Sequence, residues 1–293
     1  MTIGPEPITM IERGGILPRI RPARHRSSPV GSIGSERNAA VAHDTKGRVT
    51  RAVITAGGTV DGEFARAIGT PVKALAPWGT GTVIDAVVAA CRDAGIDAIA
   101  VVGGPDVRSH LAGRTGVRVV DAAGDGGTNA LRALEAWPAQ RFVYLTSDLP
   151  FADGAGLRDL VARSEPYALT MGIAEASAYA ARFPGAADHA VRLGRERVIN
   201  AGAFVVAPEA VAPLRTFATQ FFAARKSLWR MVLLLGPGMT LRFARGRLGI
   251  GDIEALATRR LGVAVAAIRG CDPGLCYDVD VLDDYRYACA PRG

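Results

Sequence analysis

Short apolar runs of strand length alternate with longer segments of helical periodicity from Arg51 to the end of the chain. This alternation is typical of βαβ units, in which helices join the parallel strands of one sheet. It predicts strands at residues 53–55, 98–102, 117–120, 142–145, 168–173, 203–206, 263–268 and 276–279. The expected fold is α/β, a three-layer αβα sandwich with a mostly parallel twisted sheet and the strand at 142–145 near its centre.

The segments between these runs have the spacing of helices. Apolar residues at 83, 84, 87, 88 and 91 fall on one helical face. Further helices are predicted at 128–137, over most of 208–262 and at 283–289. Residues 191–197 are interpreted as a turn around Gly194 that leads into the strand at 203–206.

Residues 1–48 are of a different kind. They mix five prolines with Gly, Ser and Arg and show no apolar period of 2 or 3.6 residues, which predicts a disordered extension. A targeting peptide and an overlong start assignment are the alternatives. The acidic residues and the lack of an apolar stretch argue against a targeting peptide. The folded domain is expected to span residues 49–293.

The positive charge is concentrated in two segments. The net charge is +7, with +4 in residues 1–50, +8 in residues 213–270 and −5 in the remainder. A basic segment on a slightly acidic body suits a phosphorylated ligand, and a solvated helical face with scattered arginines is the alternative. We expect a small phosphorylated molecule as the partner and no nucleic acid.

The four cysteines, at 91, 271, 276 and 289, show no paired Cys-x-x-Cys spacing. This spacing argues against a zinc knuckle and a disulfide framework, and it favours a reducing, cytoplasmic location. No apolar run approaches the roughly 20 residues that a membrane-spanning helix needs. We therefore expect no membrane span.

Glycines and a lysine follow the first predicted strand. The apolar run at 52–54 leads into Thr55-Ala56-Gly57-Gly58, and Lys73 comes next along the chain. Glycines after a buried strand let the backbone approach a phosphate, and a lysine on the same loop can neutralise it. Nucleotide binding is therefore the first hypothesis.

Three further polar motifs lie where ligands of open α/β sheets bind. Gly126-Gly127-Thr128-Asn129 offers free backbone N–H groups at a helix start, and an ordinary threonine N-cap is the alternative. Asp148 follows the central strand and is placed to hold Mg²⁺, although a helix cap is common at such a position. Asp278 and Asp280 alternate along a predicted strand and face one side, unless this pair, followed by Asp283 and Asp284, is a solvated helix N-terminus.

The sequence lacks the motifs that are typical of other nucleotide-binding and hydrolytic enzymes. The chain has no G-x-x-x-x-G-K-[ST] phosphate loop, no complete dinucleotide fingerprint and no Gly-x-Ser-x-Gly elbow. The four histidines are dispersed along the sequence. Histidine catalysis is therefore not expected.

Five motifs in order, AGG…KAL, GGTNAL, TSDLPF, NAGAFVV and YDVDVLDDY, resemble the nucleotidyltransferase superfamily with the GT-A-like, Rossmann-like fold. Within it the sequence is most similar to the group that contains molybdenum-cofactor guanylyl- and cytidylyltransferases. The resemblance covers roughly residues 51–289. The order of five motifs is far more specific than any one of them.

The resemblance implies a donor-binding loop. Ala56, Gly57 and Gly58 match the loop that wraps the nucleotide, and Lys73 matches a signature lysine that neutralises phosphate. Family members usually carry Gly-x-x-Arg directly after the two glycines. Here the first arginine is delayed to Arg66, so either Arg66 substitutes from a longer loop or the triphosphate is held differently.

The resemblance also implies contacts to the base and the acceptor. Gly127 and Thr128 match a base-contacting Gly-Thr pair. Asn200 and Gly202 match an Asn-x-Gly that lies beside the acceptor in sugar-handling members.

The resemblance finally implies a metal and an activity. Asp148 matches the metal-binding aspartate, and Asp278 or Asp280 falls where a second metal or acceptor ligand is often found. The implied reaction is of the EC 2.7.7 type: a nucleoside monophosphate moves from an NTP to a phosphorylated acceptor, a cofactor or sugar phosphate, and pyrophosphate is released, with Mg²⁺ as cofactor. A glycosyltransferase that uses a nucleotide sugar and a non-catalytic nucleotide-binding homologue are the alternatives.

Residues 213–262 are interpreted as a helical basic insertion in this domain. Lys226 and Arg230 are four residues apart, share a helix face and can close over an anionic acceptor. A helix that contacts a second subunit or an anionic surface is the alternative, favoured by Leu228 and Trp229. The sequence therefore does not decide between an acceptor-binding helix and a homodimer contact.

Overall fold

The computed structural model describes residues 49–224 and 236–291. The predicted extension at 1–48 lies outside them, as do Lys226 and Arg230 of the basic insertion. No helix in the described part of the chain has the length and apolar character to cross a lipid bilayer.

The described residues form an α/β fold. Its strands are β1 (Arg51–Ala56), β2 (Pro77–Trp78), β3 (Gly81–Thr82), β4 (Ala98–Gly103), β5 (Val117–Asp121), β6 (Phe142–Thr146), β7 (Leu169–Glu175), β8 (Val191–Leu193), β9 (Glu196–Val206) and β10 (Val265–Arg269). Its α-helices are α1 (Gly62–Ile68), α2 (Val83–Asp93), α3 (Pro105–His110), α4 (Gly126–Leu134), α5 (Gly154–Arg163), α6 (Ala176–Arg182), α7 (Pro208–Ala224), α8 (Pro237–Ala244), α9 (Ile250–Leu261) and α10 (Leu282–Cys289).

One eight-stranded sheet organises these elements. Its order within the described residues is β10-β7-β9-β6-β1-β4-β5, with β8 paired to β9. The pairs β1–β4, β1–β6, β4–β5 and β10–β7 are parallel, whereas β9 runs antiparallel to β6, β7 and β8. The prediction of a mostly parallel sheet with the strand at 142–145 near its centre is confirmed.

Both faces of the sheet are covered, which explains why the central strands are apolar throughout. Along β1, Ala52 and Ile54 pack into the core beneath α2 and α5, and Val53 packs on the opposite side against α4 and α7. Successive side chains of a strand point to opposite faces, so a continuous apolar run fits a strand buried on both sides. Because β1 and β6 are parallel neighbours, their carboxyl ends lie side by side at one edge of the sheet.

Two predicted strands differ from the structure. Residues 276–279 form no strand; they cross the end of β6, where the Val279 N–H donates to the carbonyl oxygen of Asp148 at 3.0 Å. Tyr277 and Val279 are buried at alternate positions, which produces a strand-like pattern without a ladder. The strand predicted at 203–206 begins at Glu196, because the turn around Gly194, with φ +61°, closes a β8–β9 hairpin.

We expect thiol labelling to distinguish Cys289 from the other three cysteines. Cys91, Cys271 and Cys276 are buried, and burial raises the pKa of Cys91 to about 12, whereas Cys289 is exposed. Because the thiolate is the reactive form, a thiol reagent at pH 8 should modify the reduced, folded protein once, at Cys289, and four times after unfolding. Intact-mass and peptide spectra measure this, and modification of Cys91 as fast as Cys289 would contradict the packing.

Candidate active site

The loop after β1 places Lys73 beside the two glycines. The chain leaves at Gly57 and Gly58, forms α1 and returns through an isolated bridge between Thr59 and Val72. The Lys73 N–H then donates to the carbonyl oxygen of Gly58 at 3.1 Å. A Cβ on Gly58 would lie 3.5 Å from Cε of Lys73, so the lysine stem lies directly along the glycine backbone.

Asp148 lies at the end of the neighbouring strand β6. The Ser147 N–H donates to the carbonyl oxygen of Thr55 at 3.1 Å, which continues the β1–β6 pairing one residue past the strand. The hydrogen bond from Val279 to the Asp148 carbonyl oxygen ties the acidic segment 278–280 to the same point. Sheet pairing and this bond thus fix the backbone that carries the carboxylates.

Lys73 bridges two of these carboxylates. Its Nζ lies 2.5 Å from Oδ2 of Asp148 and 2.9 Å from Oδ1 of Asp280. The Lys73 and Asp148 side chains are 13% and 12% exposed, and that of Asp280 is 63% exposed. A largely buried ion pair therefore opens to solvent on the Asp280 side.

The charges of this cluster perturb one another. Burial alone would lower the pKa of Lys73, but the charge and hydrogen bond of Asp148, with Asp280, raise it above the ordinary 10.5, so the lysine is cationic. Burial and the charges of Asp280 and Asp148 raise the pKa of Asp278 to about 6. Two carboxylates thus pair with one ammonium and a third carboxyl group lies nearby, an arrangement that favours binding of further positive charge.

Asp280 is held by a buried carboxylate further along the chain. Oδ2 of Asp284, which is 6% exposed, accepts hydrogen bonds from the N–H groups of Asp280 and Val281, both at 3.0 Å. The interpretation of 283–284 as a solvated helix N-terminus is correct for exposed Asp283 and wrong for Asp284. Asp284 caps α10 and fixes the backbone of Asp280 in the same contacts.

A cavity of about 300 Å³ adjoins the ion pair. Its lining joins the ends of β1 and β6 to the start of α4: Thr55, Gly57, Gly58, Lys73, Gly126, Asn129, Tyr144, Thr146, Ser147 and Asp148. The Asn129 side chain is buried and fixed by Ala123, whose N–H donates to Oδ1 at 2.6 Å. A Cβ on Gly57 would lie 2.5 Å from Nδ2 of Asn129, so only glycine fits this wall without a shift.

Other predicted donor residues lie outside this lining. Ala56 and Gly127 are buried, and exposed Arg66 belongs to the last turn of α1. The alternative of a threonine N-cap is wrong, because Asp125 caps α4 and accepts hydrogen bonds from the N–H and hydroxyl of Thr128. The roles of these four residues stay predictions.

Asn200 and Gly202 lie two residues apart on β9. A Cβ on Gly202 would lie 2.6 Å from Oγ1 of Thr146, so this glycine backs the cavity beside Lys73. Asn200 is exposed and lines a different cavity, on the part of the sheet formed by β7, β9 and β10. Asn200 thus lines one cavity, and Gly202 packs behind Thr146 of the other.

The described side chains supply only some of the ligands that a hard divalent cation needs. Oδ1 of Asp148 and Oγ1 of Thr146 are buried and have no hydrogen-bond partner among the described residues. Carboxylate and hydroxyl oxygens are ligands of the type that Mg²⁺ takes. Across residues 49–224 and 236–291, no group of three or more His, Cys, Asp or Glu side chains is arranged to hold a metal, so phosphate oxygens would have to complete the shell.

The rarity of lysine in this chain also singles out Lys73. The chain has only three lysines against 32 arginines, and Lys73 is the sole lysine in the described part. A lysine offers a compact, rotatable point charge, whereas arginine presents a rigid fork. A lysine kept at one position of an arginine-rich chain therefore marks a site where that difference matters.

Residues 52–222, more than half of the chain, match the family model of the MobA-like NTP transferase domain. The chain belongs to this family. Lys73, Asp148 and the two glycines all lie within the matched range, and Asp278 and Asp280 follow it. Membership of this family confirms the resemblance that the five motifs indicated.

Solved structures support the same fold. A hypothetical transferase from Thermus thermophilus is 25% identical, with 81% of this chain and 99% of that chain covered and a TM-score of 0.71. The 4-diphosphocytidyl-2C-methyl-D-erythritol synthase of Anaerococcus prevotii is 12% identical, with 83% and 97% covered and a TM-score of 0.51. At 12% identity the second likeness concerns the fold alone.

A protein of Mycobacterium tuberculosis was solved in complex with manganese. It is 21% identical, with 82% of this chain and 97% of that chain covered and a TM-score of 0.43. No curated protein matches this chain significantly.

Proposed function

We propose that the protein transfers a nucleoside monophosphate from an NTP to a phosphorylated small molecule and releases pyrophosphate. The observation that carries this proposal is the Lys73 ammonium, held between Asp148 and Asp280 beside a glycine-lined cavity at the ends of β1 and β6. Membership of the NTP transferase family supports the same reaction class.

The reaction requires positioning and charge neutralisation more than a general base. An oxygen of the acceptor phosphate attacks the α-phosphorus in line, and the bond from that phosphorus to the bridging oxygen of pyrophosphate breaks. Gly57 and Gly58 let the backbone lie close to the triphosphate. Lys73, on a stem with several rotatable bonds, turns from the carboxylates to a phosphate oxygen and offsets the charge that develops on the leaving pyrophosphate.

Asp148 and Asp280 are the residues that would hold Mg²⁺, with Asp278 next to them. When bound, the ion neutralises phosphate charge and polarises the oxygens at phosphorus. The carboxylates keep two roles without it: they anchor the Lys73 ammonium, and they exclude a second anion from this side of the cavity.

A thermal-shift screen of the four NTPs with and without Mg²⁺ tests the proposal. At a free concentration 100 times its Kd, a ligand that binds only the folded state stabilises that state by about 2.7 kcal/mol. One or two NTPs should therefore raise the melting temperature in a Mg²⁺-dependent way. The same NTPs should release pyrophosphate once a phosphorylated acceptor is added. Stabilisation by nucleotide sugars but by no NTP would contradict the proposal in favour of a glycosyltransferase.

A further inference from the structure

An apolar groove lies on the sheet beside the proposed donor cavity. It has a volume of about 410 Å³ and is formed by β7, β9, β10, the β8 hairpin and α9. Its floor is the buried cluster of Ile173, Val198 and Ile250. Val191 and Ile253 stand at the groove with 44% and 38% of their surface exposed. A volume of this size is in the range of small-molecule sites.

The groove and the donor cavity share a wall. Tyr144 lines the donor cavity and Phe204 lines the groove, and their rings meet edge to face with centroids 5.7 Å apart. On β9, Gly202 backs Thr146 of the donor cavity, and Asn200 opens on the groove. Two residues of strand span about 7 Å. The groove and the donor cavity therefore lie next to each other, about two strand residues apart along β9.

The groove is poor in groups that can hydrogen-bond a sugar. Among the described residues that line it, only Asn200 and Glu254 have polar side chains, and Oε1 of Glu254 already accepts the N–H of Ala267 at 2.8 Å. Hydroxyl groups that lose water without gaining partners are costly to bury. Apolar surface gains from the same transfer, and an exposed apolar groove often marks a ligand site.

We infer that the acceptor is an amphiphile, the phosphate ester of an apolar alcohol, whose hydrocarbon part lies in this groove while its phosphate faces Lys73. This inference rests on the proposed nucleotidyl transfer and names the class of its acceptor. It assigns Asn200 to the junction between the polar and the apolar part of that molecule. The residues that distinguish such an acceptor from a sugar phosphate are those of the groove, above all Ile253 and Ala257.

Calorimetry with a homologous series of ligands tests the inference. Butyl, hexyl and octyl phosphate, below their aggregation concentrations, and glucose 1-phosphate are titrated into the full chain with Mg²⁺ and a non-hydrolysable analogue of the NTP that binds best. Burial of methylenes in the groove should lower Kd two- to fourfold for each CH₂ added. Glucose 1-phosphate should bind at least tenfold more weakly than octyl phosphate.

Two variants locate the effect. Ile253→Asp places a charge at the groove, and Ala257→Trp narrows the groove. Both variants should raise the Kd of octyl phosphate at least tenfold and make Kd less dependent on the length of the alkyl group. Leu241→Asp is the matched control, because Leu241 is an exposed apolar residue of α8 that does not line the groove. Leu241→Asp should leave the Kd of each alkyl phosphate unchanged.

The outcomes separate this inference from the proposed function. Binding of the NTP analogue together with a Kd that does not change with alkyl length would overturn the amphiphilic acceptor and leave nucleotidyl transfer standing. No binding of any NTP analogue would refute the proposed function itself. Sedimentation that shows a dimer of the wild type and a monomer of Ile253→Asp would overturn the inference, because a second copy of the chain would then occupy the groove.

Discussion

Replacing Lys73 by alanine is expected to slow pyrophosphate release from the preferred NTP by about 10²- to 10³-fold, the usual cost of one preorganised electrostatic contact. The ammonium that offsets charge on the leaving group is then gone. Asp148→Asn should have a similar effect, since it keeps the shape of the side chain but removes the charge that anchors Lys73 and would hold the metal.

The matched control is Arg108→Ala. Arg108 also pairs with a carboxylate, that of Asp121 at 2.5 Å, but both partners are exposed and neither lines the cavity. An exposed pair contributes about 0–1 kcal/mol, so this variant should keep its activity. Turnover by Lys73→Ala within a few-fold of the control, with both proteins folded by circular dichroism, would remove Lys73 from the chemistry.

Gly202→Ala is expected to have the second largest effect, on stability and activity together. The added Cβ would lie 2.6 Å from Oγ1 of Thr146 and 2.9 Å from Cδ2 of Leu149, both shorter than side chains tolerate. Overpacking of this kind typically costs about 1–3 kcal/mol. Because Thr146 precedes Ser147 and Asp148 at the end of β6, the strain is transmitted to the carboxylate that pairs with Lys73.

Urea unfolding at pH 7 measures the loss of stability, and pyrophosphate release below the unfolding transition measures the loss of activity. Gly104→Ala is the control, since nothing lies within 4 Å of a Cβ added there and its φ is −77°. Unfolding of both variants at the same urea concentration would contradict the described packing of β9 against β6.

The fold followed from local pattern wherever an element is buried on one or two faces. β1, β4 and β6 are continuous apolar runs, and each matches its prediction within two residues at either end. The pattern failed at 276–279, because alternate burial of Tyr277 and Val279 arises from packing against the end of β6 and not from a ladder. The start of β9 was missed because its first residues are polar and pair with the short β8 at the sheet margin.

The residues of the candidate site were likewise predicted only in part from the sequence. The order of motifs predicted Lys73, Asp148 and Asp280, which the structure brings together within one ion-pair network. It did not indicate Asp284, whose role depends on a helix that begins two residues earlier at Leu282. Nor did it indicate the apolar groove, since Met171, Val191 and Ile253 come from three distant elements that only the sheet topology joins.

A crystal structure of the full chain with Mg²⁺ and a non-hydrolysable analogue of its preferred NTP tests the central claim most directly. We expect the triphosphate to lie against the backbone of Gly57 and Gly58, with Nζ of Lys73 within 3.5 Å of a phosphate oxygen and density for the ion on Asp148. A triphosphate bound elsewhere, with the Lys73–Asp148 pair unchanged, would contradict the account.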